Sequence, residues 1–220
     1  MAAQNFLILG ATGNIGHFLT GMALDQGHQV TALVRDASRL GSRPGLTVVE
    51  GDPMDPAVLD QVMPGHDAVL SCLGIRREVQ ADPWSPVISP ADLTGACARH
   101  TVAAMKRHGV PRVLAVSAAG IGDSRAVSSS EIMGIVDSSN IAISFRDLEE
   151  MEQVFAASGL DALMIRPVTL TGDAMGGEAK VLDAYLANSV ISKQEVAAWM
   201  LGAAVRPAPY SAAAEMIGYA

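Results

Sequence analysis

Three glycines at fixed spacing, close to the amino terminus, offer a backbone suited to phosphate chemistry. The loop Gly10-Ala11-Thr12-Gly13-Asn14-Ile15-Gly16 directly follows the apolar run Phe6-Leu7-Ile8-Leu9. Gly10 suits the positive φ of a tight turn, Gly13 lets the backbone approach a pyrophosphate, and Gly16 lets a helix pack against the strand. Free N–H groups at the start of that helix would bind the phosphates. Because the flanking strand and helix are both expected, the motif predicts a dinucleotide-binding loop.

The residues after the second predicted strand indicate which dinucleotide binds. Proteins that bind NAD usually carry an acidic residue about twenty positions past the glycine loop, where it contacts the ribose hydroxyls. This chain has Arg35 at the end of the strand and Arg39 four residues later. A guanidinium binds phosphate through a fork of charge-assisted hydrogen bonds, so the pair predicts NADP(H). The alternative is that both arginines are solvated, or that Arg35 pairs with Asp36.

Three more polar residues are candidates for the site. Asp52, after the third predicted strand, would accept from the adenine amino group or simply form a turn. Ser117 ends the fifth predicted strand, where its hydroxyl would bond the substrate or the nicotinamide amide, or merely finish the strand in a turn. Arg76 would neutralise an anionic acceptor, with a solvated loop charge as the alternative.

A tyrosine–lysine pair, which many dehydrogenases use to move a proton to or from a carbonyl oxygen, is missing. The tyrosines are Tyr185, Tyr210 and Tyr219, and the residues four positions after the first two are Ser189 and Ala214. Ordinary alcohol–ketone chemistry by that pair is therefore not expected. The proton would come from solvent, while the cofactor carries the difficult chemistry. The five histidines lack metal-ligand spacing, and no metal is expected.

Short apolar runs alternate with amphipathic stretches, the pattern of βαβ units and a mainly parallel sheet. Strands are predicted at 6–9, 29–34, 46–49, 67–71, 112–116 and 161–165. Helices are predicted at 14–26, from the cap Asp55 and Pro56, from Ser89 and Pro90 to about 108, from Ser144 to about 157, and from Ser192 to about 204. The expected fold is one doubly wound Rossmann-type α/β domain over residues 1–220.

The two least regular stretches, 120–140 and 169–188, both follow strands. In an open parallel sheet, ligands bind beyond the carboxyl ends of the strands. These stretches therefore predict a small substrate-lid region, so that residues 1–118 form the cofactor half and residues 119–220 supply most of the substrate pocket.

Composition excludes several classes of protein. With 220 residues, half of them hydrophobic, the chain is long enough to bury a sizeable core. A net charge of -8 disfavours nucleic-acid and membrane-surface partners. The amino terminus lacks the basic segment of a signal peptide, and Cys72 and Cys97 are expected to be small buried hydrophobes in a reducing compartment. We expect a cytoplasmic monomer or weak homo-oligomer that acts on a small-molecule substrate.

Several segments resemble the atypical short-chain dehydrogenase/reductases, and most closely the biliverdin-IXβ-reductase/flavin-reductase type, with NmrA-like proteins as near relatives. The resemblance spans almost the whole chain. Its segments are Gly10-Ala11-Thr12-Gly13, Val30-Thr31-Ala32-Leu33-Val34-Arg35-Asp36, Gly51-Asp52, Thr101-Val102-Ala103-Ala104-Met105-Lys106, Val113 to Ser117, Ile165-Arg166-Pro167 and Val190-Ile191-Ser192-Lys193.

This resemblance implies hydride transfer from NADPH to a planar, electron-poor acceptor such as a flavin, a linear tetrapyrrole or a quinone. The chain departs from the family pattern at residues 120–122, 128–130 and 170–188, where the acceptor pocket would form. The implied cofactor contacts are Gly10, Thr12, Gly13, Asn14, Ile15, Arg35, Arg39, Asp52, Leu73, Gly74, Ser117 and Pro167.

Three functions remain open from the sequence. The first is an NADPH-dependent reductase, which the cofactor motifs favour. The second is a non-catalytic NADP(H) sensor of the NmrA-like type, since the tyrosine–lysine pair is missing. The third is an isomerase, epimerase or lyase that retains its cofactor.

Overall fold

The computed structural model describes residues 2–172 and 176–219, so part of the predicted 169–188 segment, residues 173–175, lies outside the described residues. Within them, apolar runs form β1 Asn5–Leu9, β2 Gln29–Val34, β3 Leu46–Glu50, β4 Ala68–Ser71, β5 Arg112–Val116, β6 Asp161–Pro167, β7 Thr169–Leu170, β8 Ala179–Val181, β9 Val190–Ile191 and β10 Ala214–Tyr219. Eight strands build one sheet in the order β3-β2-β1-β4-β5-β6-β10-β8. Only β8 runs antiparallel to its neighbour, and β7 pairs with β9 separately. The first six strands have the order of a Rossmann-type sheet, which confirms the predicted fold class.

Helices cover both faces of the sheet. In the described chain they are α1 Gly16–Asp25, α2 Pro56–Val62, α3 Leu93–His108, α4 Ser130–Ser138, α5 Ile141–Ala156 and α6 Lys193–Ala204. Helices α1 and α6 pack on one face, and α2, α3 and α5 pack on the other. Among residues 2–172 and 176–219, no helix is both long and apolar enough to cross a bilayer.

The central strands are apolar on both sides because each side faces a helix layer. In β1, Phe6 and Ile8 join the core under α1 and α6, while Leu7 and Leu9 join the core under α2 and α3. All four side chains are essentially inaccessible to solvent. Continuous apolar runs, rather than alternating ones, therefore mark these strands in the sequence.

Two predicted helix starts are confirmed by their caps. Asp55 accepts a hydrogen bond from the amide of Ala57 at 2.8 Å, with Pro56 as the first helical residue. Ser192 accepts from the amide of Glu195 at 3.2 Å. The reciprocal bond of a full capping box is replaced, because the Ser192 amide donates to the Tyr219 hydroxyl instead, at 3.1 Å.

The predicted helix start at Ser89 and Pro90 is wrong. The Ser89 hydroxyl accepts from the amide of Arg76 at 2.9 Å, so it closes a loop instead of capping a helix. Helix α3 begins at Leu93, and no side chain of its own N-cap residue satisfies its first turn. The carboxylate of Asp147 from α5 does so: it accepts from the Thr94 amide at 2.8 Å, the Thr94 hydroxyl at 2.7 Å and the Gly95 amide at 2.9 Å.

The predicted cap at Ser144 is also wrong. Helix α5 begins at Ile141, three residues earlier, with Asn140 as its N-cap, and Ser144 lies within its first turn. Asn140 is fixed by the loop that follows β4, since its side chain donates to the carbonyls of Trp84 and Ser85 at 2.8 and 3.1 Å. Helix α4 and strands β7, β8, β9 and β10 were not predicted.

Replacing Asp147 with alanine should lower the free energy of unfolding by about 3 kcal/mol, because two buried amides and a hydroxyl lose their acceptor. Chemical denaturation measures the change. Gln153→Ala is the matched control, since Gln153 is exposed on the same helix. A loss no larger than that of the control would show that α3 does not depend on Asp147.

Candidate functional site

The glycine loop between β1 and α1 is shaped by contacts that only glycine allows. Gly10 has a φ of +80°, and a Cβ there would lie 2.9 Å from the carbonyl oxygen of Cys72. A Cβ on Gly16 would lie 2.1 Å from the carbonyl oxygen of Gly10, well inside van der Waals contact. The Gly13 amide donates to the same oxygen at 2.9 Å. The loop thus brings the start of α1 directly against the end of β1.

The start of α1 has the properties of an anion site. Its N-cap residue is Ile15, and no side chain caps the helix. Asn14 is exposed, Thr12 and Gly13 are half-buried, and the Ile15 side chain is buried in the core. Ile15 can therefore reach a ligand only through its backbone. Uncapped N–H groups at a helix start carry partial positive charge and fit the pyrophosphate of a dinucleotide.

Both predicted arginines lie beside this loop. Arg39 donates from Nη2 to the carbonyl oxygen of Thr12 at 3.3 Å, and Arg35, directly after β2, is exposed. The Asp36 carboxylate turns to Ser38, accepting from its amide at 3.0 Å and its hydroxyl at 2.6 Å. These hydrogen bonds hold the pKa of Asp36 below its ordinary value. In the described chain Arg35 forms no ion pair, with Asp36 or any other residue, and a phosphate is a fitting partner for it.

The acidic residues near the adenosine end are engaged by backbone amides. Glu50, at the end of β3, accepts from the amide of Ala37 at 2.9 Å. Asp52 accepts from the amide of Met54 at 2.9 Å, as a turn-forming aspartate does. That bond uses one carboxylate oxygen, and contact of Asp52 with adenine stays a prediction.

The other predicted contacts follow the neighbouring strands. Leu73 and Gly74 follow β4, Ser117 follows β5, and Pro167 ends β6, so all lie at the carboxyl edge of the sheet. Arg76 lies further along the loop after β4, and its guanidinium is exposed. Its role as a partner for an anionic acceptor stays a prediction.

Ser117 belongs to a buried polar network that the sequence did not predict. Its hydroxyl donates to Oε1 of Glu152 at 2.5 Å. Arg166 donates to the same oxygen from Nε at 3.0 Å, to the second Glu152 oxygen from Nη2 at 2.6 Å, and to exposed Asp123 from Nη1 at 2.5 Å. Ser117, Glu152 and Arg166 are only 5%, 9% and 7% exposed. The network therefore runs from the end of β5 to the surface loop after it.

Opposite charges offset the cost of burial in this network. Burial lowers the pKa of Arg166, but its hydrogen bonds to Glu152 and Asp123 outweigh burial and leave that pKa above its ordinary value. The bond from Arg166 lowers the pKa of Asp123. Two sequence signals could have revealed the pair: an arginine inside the apolar run of β6, and a glutamate next to Met151 on the apolar face of α5.

The two irregular stretches predicted to form a substrate lid meet at Tyr185. The Tyr185 amide donates to the carbonyl of Val127 at 3.0 Å, and the Ser129 amide donates to the Tyr185 carbonyl at 2.7 Å. The phenol is bonded to the Thr169 hydroxyl at 2.7 Å. Burial raises the pKa of Tyr185, which is the reverse of lysine activation. Tyr185 thus joins the stretches and does not replace the missing catalytic tyrosine.

A cavity of about 220 Å³ lies beside the loop after β5. Helices α4 and α5 form its other walls. Its lining includes Gly120, Ile121, Val136, Phe145, Arg146 and Glu149. This cavity lies within the predicted substrate half of the chain.

The sheet order, the glycine loop and the uncapped start of α1 together define a nucleotide-binding Rossmann protein. The chain belongs to the NAD(P)H-binding family, whose model matches residues 10–207. Family membership and the uncapped start of α1 both indicate a nicotinamide dinucleotide as the ligand.

One known relative is named as a reductase. The chain is 34% identical over 176 residues to a 3-diazoavenalumate denitrifying reductase of a Streptomyces species, a match that covers 77% of this chain and 57% of that protein. The chain thus spans little more than half the length of this relative.

Many solved structures share the fold, and two of them illustrate it. One is the anaerobillin reductase ChuY of Escherichia coli, with a TM-score of 0.78, 21% identity, and coverage of 97% of this chain and 96% of ChuY. The other is a short-chain dehydrogenase/reductase of Veillonella parvula in complex with NADP, with a TM-score of 0.78, 19% identity, and coverage of 99% and 95%.

Replacing Gly16 with alanine should abolish measurable dinucleotide binding, because its methyl group would overlap the Gly10 carbonyl and push α1 away from the loop. Titration with NADPH, followed by its fluorescence, measures the affinity. Gly21→Ala in the same helix is the control, since a Cβ there meets only an Arg43 side-chain nitrogen at 3.7 Å. Unchanged affinity in the Gly16 variant would contradict this account of the loop.

Proposed function

We propose that this protein is an NADPH-dependent oxidoreductase that transfers a hydride to a planar conjugated acceptor without help from a tyrosine acid. The observation that carries the proposal is the guanidinium of Arg39 on the glycine loop, with exposed Arg35 beside it. Two cations at the adenosine end favour the phosphorylated dinucleotide. The names of the Streptomyces relative and of ChuY, both reductases, support reduction as the reaction.

Each part of the chain has a role in this proposal. Residues 1–118 hold the cofactor, residues 119–220 shape the acceptor pocket, and the two act as one domain. NADPH bound at the loop would supply a hydride whose C–H bond breaks as a new bond forms on the acceptor, which gains two electrons. The loop amides orient the diphosphate, and Arg35 and Arg39 hold the 2′-phosphate. Water at the open edge supplies the proton that completes the reduced acceptor.

The proton source limits the class of acceptor. Burial raises the pKa of the Tyr185 and Tyr210 phenols, which is the reverse of the lowering that a catalytic lysine produces. Acceptors that become stable anions, or that lose a leaving group after hydride addition, need no protein acid. Flavins, quinones, linear tetrapyrroles and diazo compounds meet this condition. The cavity of about 220 Å³ beside the loop after β5 supports a pocket for the acceptor in this half of the chain.

Steady-state consumption of NADPH tests the reaction directly. We expect turnover with at least one of FMN, FAD, a naphthoquinone, biliverdin and an aryl diazonium salt, and no turnover for the Gly16→Ala variant. NADPH binding without consumption by any of these acceptors would overturn the proposed reaction.

Replacing Arg35 with glutamate should weaken NADPH binding about a hundred-fold and leave NADH binding within about two-fold. A charge-assisted bond to phosphate contributes about 1.5–3 kcal/mol, and the new carboxylate also repels the phosphate. Fluorescence titration with both coenzymes measures the ratio. Arg43→Glu is the control, because Arg43 is an exposed arginine that pairs with Asp25 at 2.7 Å. Equal losses for the two coenzymes would remove the assignment of NADPH.

A further inference from the structure

The direction of the hydrogen bond between Ser117 and Glu152 fixes what Ser117 can offer to a ligand. The Ser117 hydroxyl lies 2.5 Å from Oε1 of Glu152, a short distance typical of a bond to a carboxylate. A serine hydroxyl has one proton and two lone pairs. With its proton directed at Glu152, Ser117 has only lone pairs left for any other partner.

Arg166 keeps Glu152 in the accepting role. A guanidinium donates only, and Arg166 directs Nε and Nη2 at the two oxygens of this carboxylate, at 3.0 and 2.6 Å. Its third nitrogen is held by Asp123 at 2.5 Å. The arginine is therefore tied on both sides, and the carboxylate cannot rotate to release the Ser117 proton without breaking a forked ion pair.

The position of Ser117 indicates which group would meet its lone pairs. Ser117 follows β5, and β5 pairs with β4. Directly after β4 come Cys72, whose carbonyl packs on Gly10, and then Leu73 and Gly74. A dinucleotide extended from the glycine loop along this edge has its nicotinamide at the far end. The carboxamide of that ring offers an amino group as donor and a carbonyl as acceptor.

We infer that Glu152 is a positioning residue that makes Ser117 a hydrogen-bond acceptor for the carboxamide amino group of the nicotinamide. Ser117 then orients the ring and gives no proton to the acceptor. The inference rests on the proposed placement of the nicotinamide beside Ser117, but it does not depend on any particular acceptor or on turnover.

Two cofactors that differ only in this amino group provide the test. In the 3-acetylpyridine analogue of NADP⁺, a methyl group replaces the amino group and the carbonyl remains. We expect the protein to bind NADP⁺ about five-fold more tightly than the analogue, the effect of one hydrogen bond of about 1 kcal/mol. Ser117→Ala should remove this preference by weakening NADP⁺ alone. Calorimetric titration measures both affinities.

Glu152→Gln gives a second reading of the same bond. In this variant one of the two accepting oxygens becomes an NH2 group, which cannot accept from Arg166 or Ser117. The forked ion pair that keeps the side chain in its accepting role is lost, so the preference for NADP⁺ should fall as in Ser117→Ala, and the double variant should resemble the serine variant. Ser158→Ala is the control, since Ser158 is a buried serine whose hydroxyl bonds only to backbone groups near the end of α5. The control should keep the five-fold preference. If the glutamine variant does not fold, the serine variant still decides whether Ser117 accepts from the amino group.

Three results would overturn the inference. Equal binding of the two cofactors by the unaltered protein would show that the amino group has no acceptor. Equal weakening of both by Ser117→Ala would show that the hydroxyl donates to the carbonyl that they share. Unchanged affinities in Ser117→Ala would show that Ser117 does not contact the ring. None of these results depends on NADPH consumption, so the proposed reaction is tested separately.

Discussion

The backbone of Gly16 lies so close to the carbonyl of Gly10 that no side chain fits between them. The geometry of the glycine loop depends on this close approach. It puts the uncapped first turn of α1 directly at the end of β1. Gly10, in a left-handed conformation, packs in turn on the carbonyl of Cys72, which fixes the end of β4 to the same loop. Arg39 then reaches the loop through Thr12. This close approach thus brings the ends of two strands, a helix terminus and a cation around the proposed position of a diphosphate.

Two ion pairs with little exposed surface lie at opposite ends of the neighbouring strands β5 and β6. At the amino end, Arg112 binds Asp161 at 2.6 Å and also donates to the carbonyls of Ala204 and Arg206, which fastens the end of α6. At the carboxyl end, Arg166 binds Glu152. Desolvation largely cancels the attraction within buried pairs, so their main contribution is to fix orientation. The first pair orients the chain that leads to β10, and the second orients the side chain of Ser117.

The sequence predicted the parts of the fold that local patterns determine. The apolar runs of β2 and β5 have the predicted bounds, since strands covered on both faces need no partner of particular chemistry to be recognised. Ser89 misled because its hydroxyl accepts from the Arg76 amide in a loop, and α3 takes its cap from Asp147, fifty-three residues from Thr94. Ser144 misled because α5 begins three residues earlier, after Asn140, whose side chain is held by the carbonyls of Trp84 and Ser85. The glycine loop and its arginines could also be predicted, because each is recognised from neighbouring residues in the sequence. The hydrogen bonds of Glu152 could not be predicted, because Ser117 and Arg166 contact Glu152 only after β5, β6 and α5 have packed.

The charges around Ser117 differ in kind from those around an activated tyrosine. A lysine beside a phenol lowers the pKa of the phenol, and the site can then give and take a proton. Here the cation is Arg166, which pairs with the Glu152 carboxylate. A guanidinium does not give up its proton in a protein and a carboxylate has none, so the pair cannot act as an acid. The outer end of the network is Asp123, whose side chain is 91% exposed, so water reaches the loop beside the cavity that α4 and α5 line. Under the proposed chemistry, a site of this kind does not need to exclude solvent, because solvent is its acid. Its selectivity then depends on which flat molecule the 120–140 and 169–188 segments admit, and Tyr185 holds those segments together.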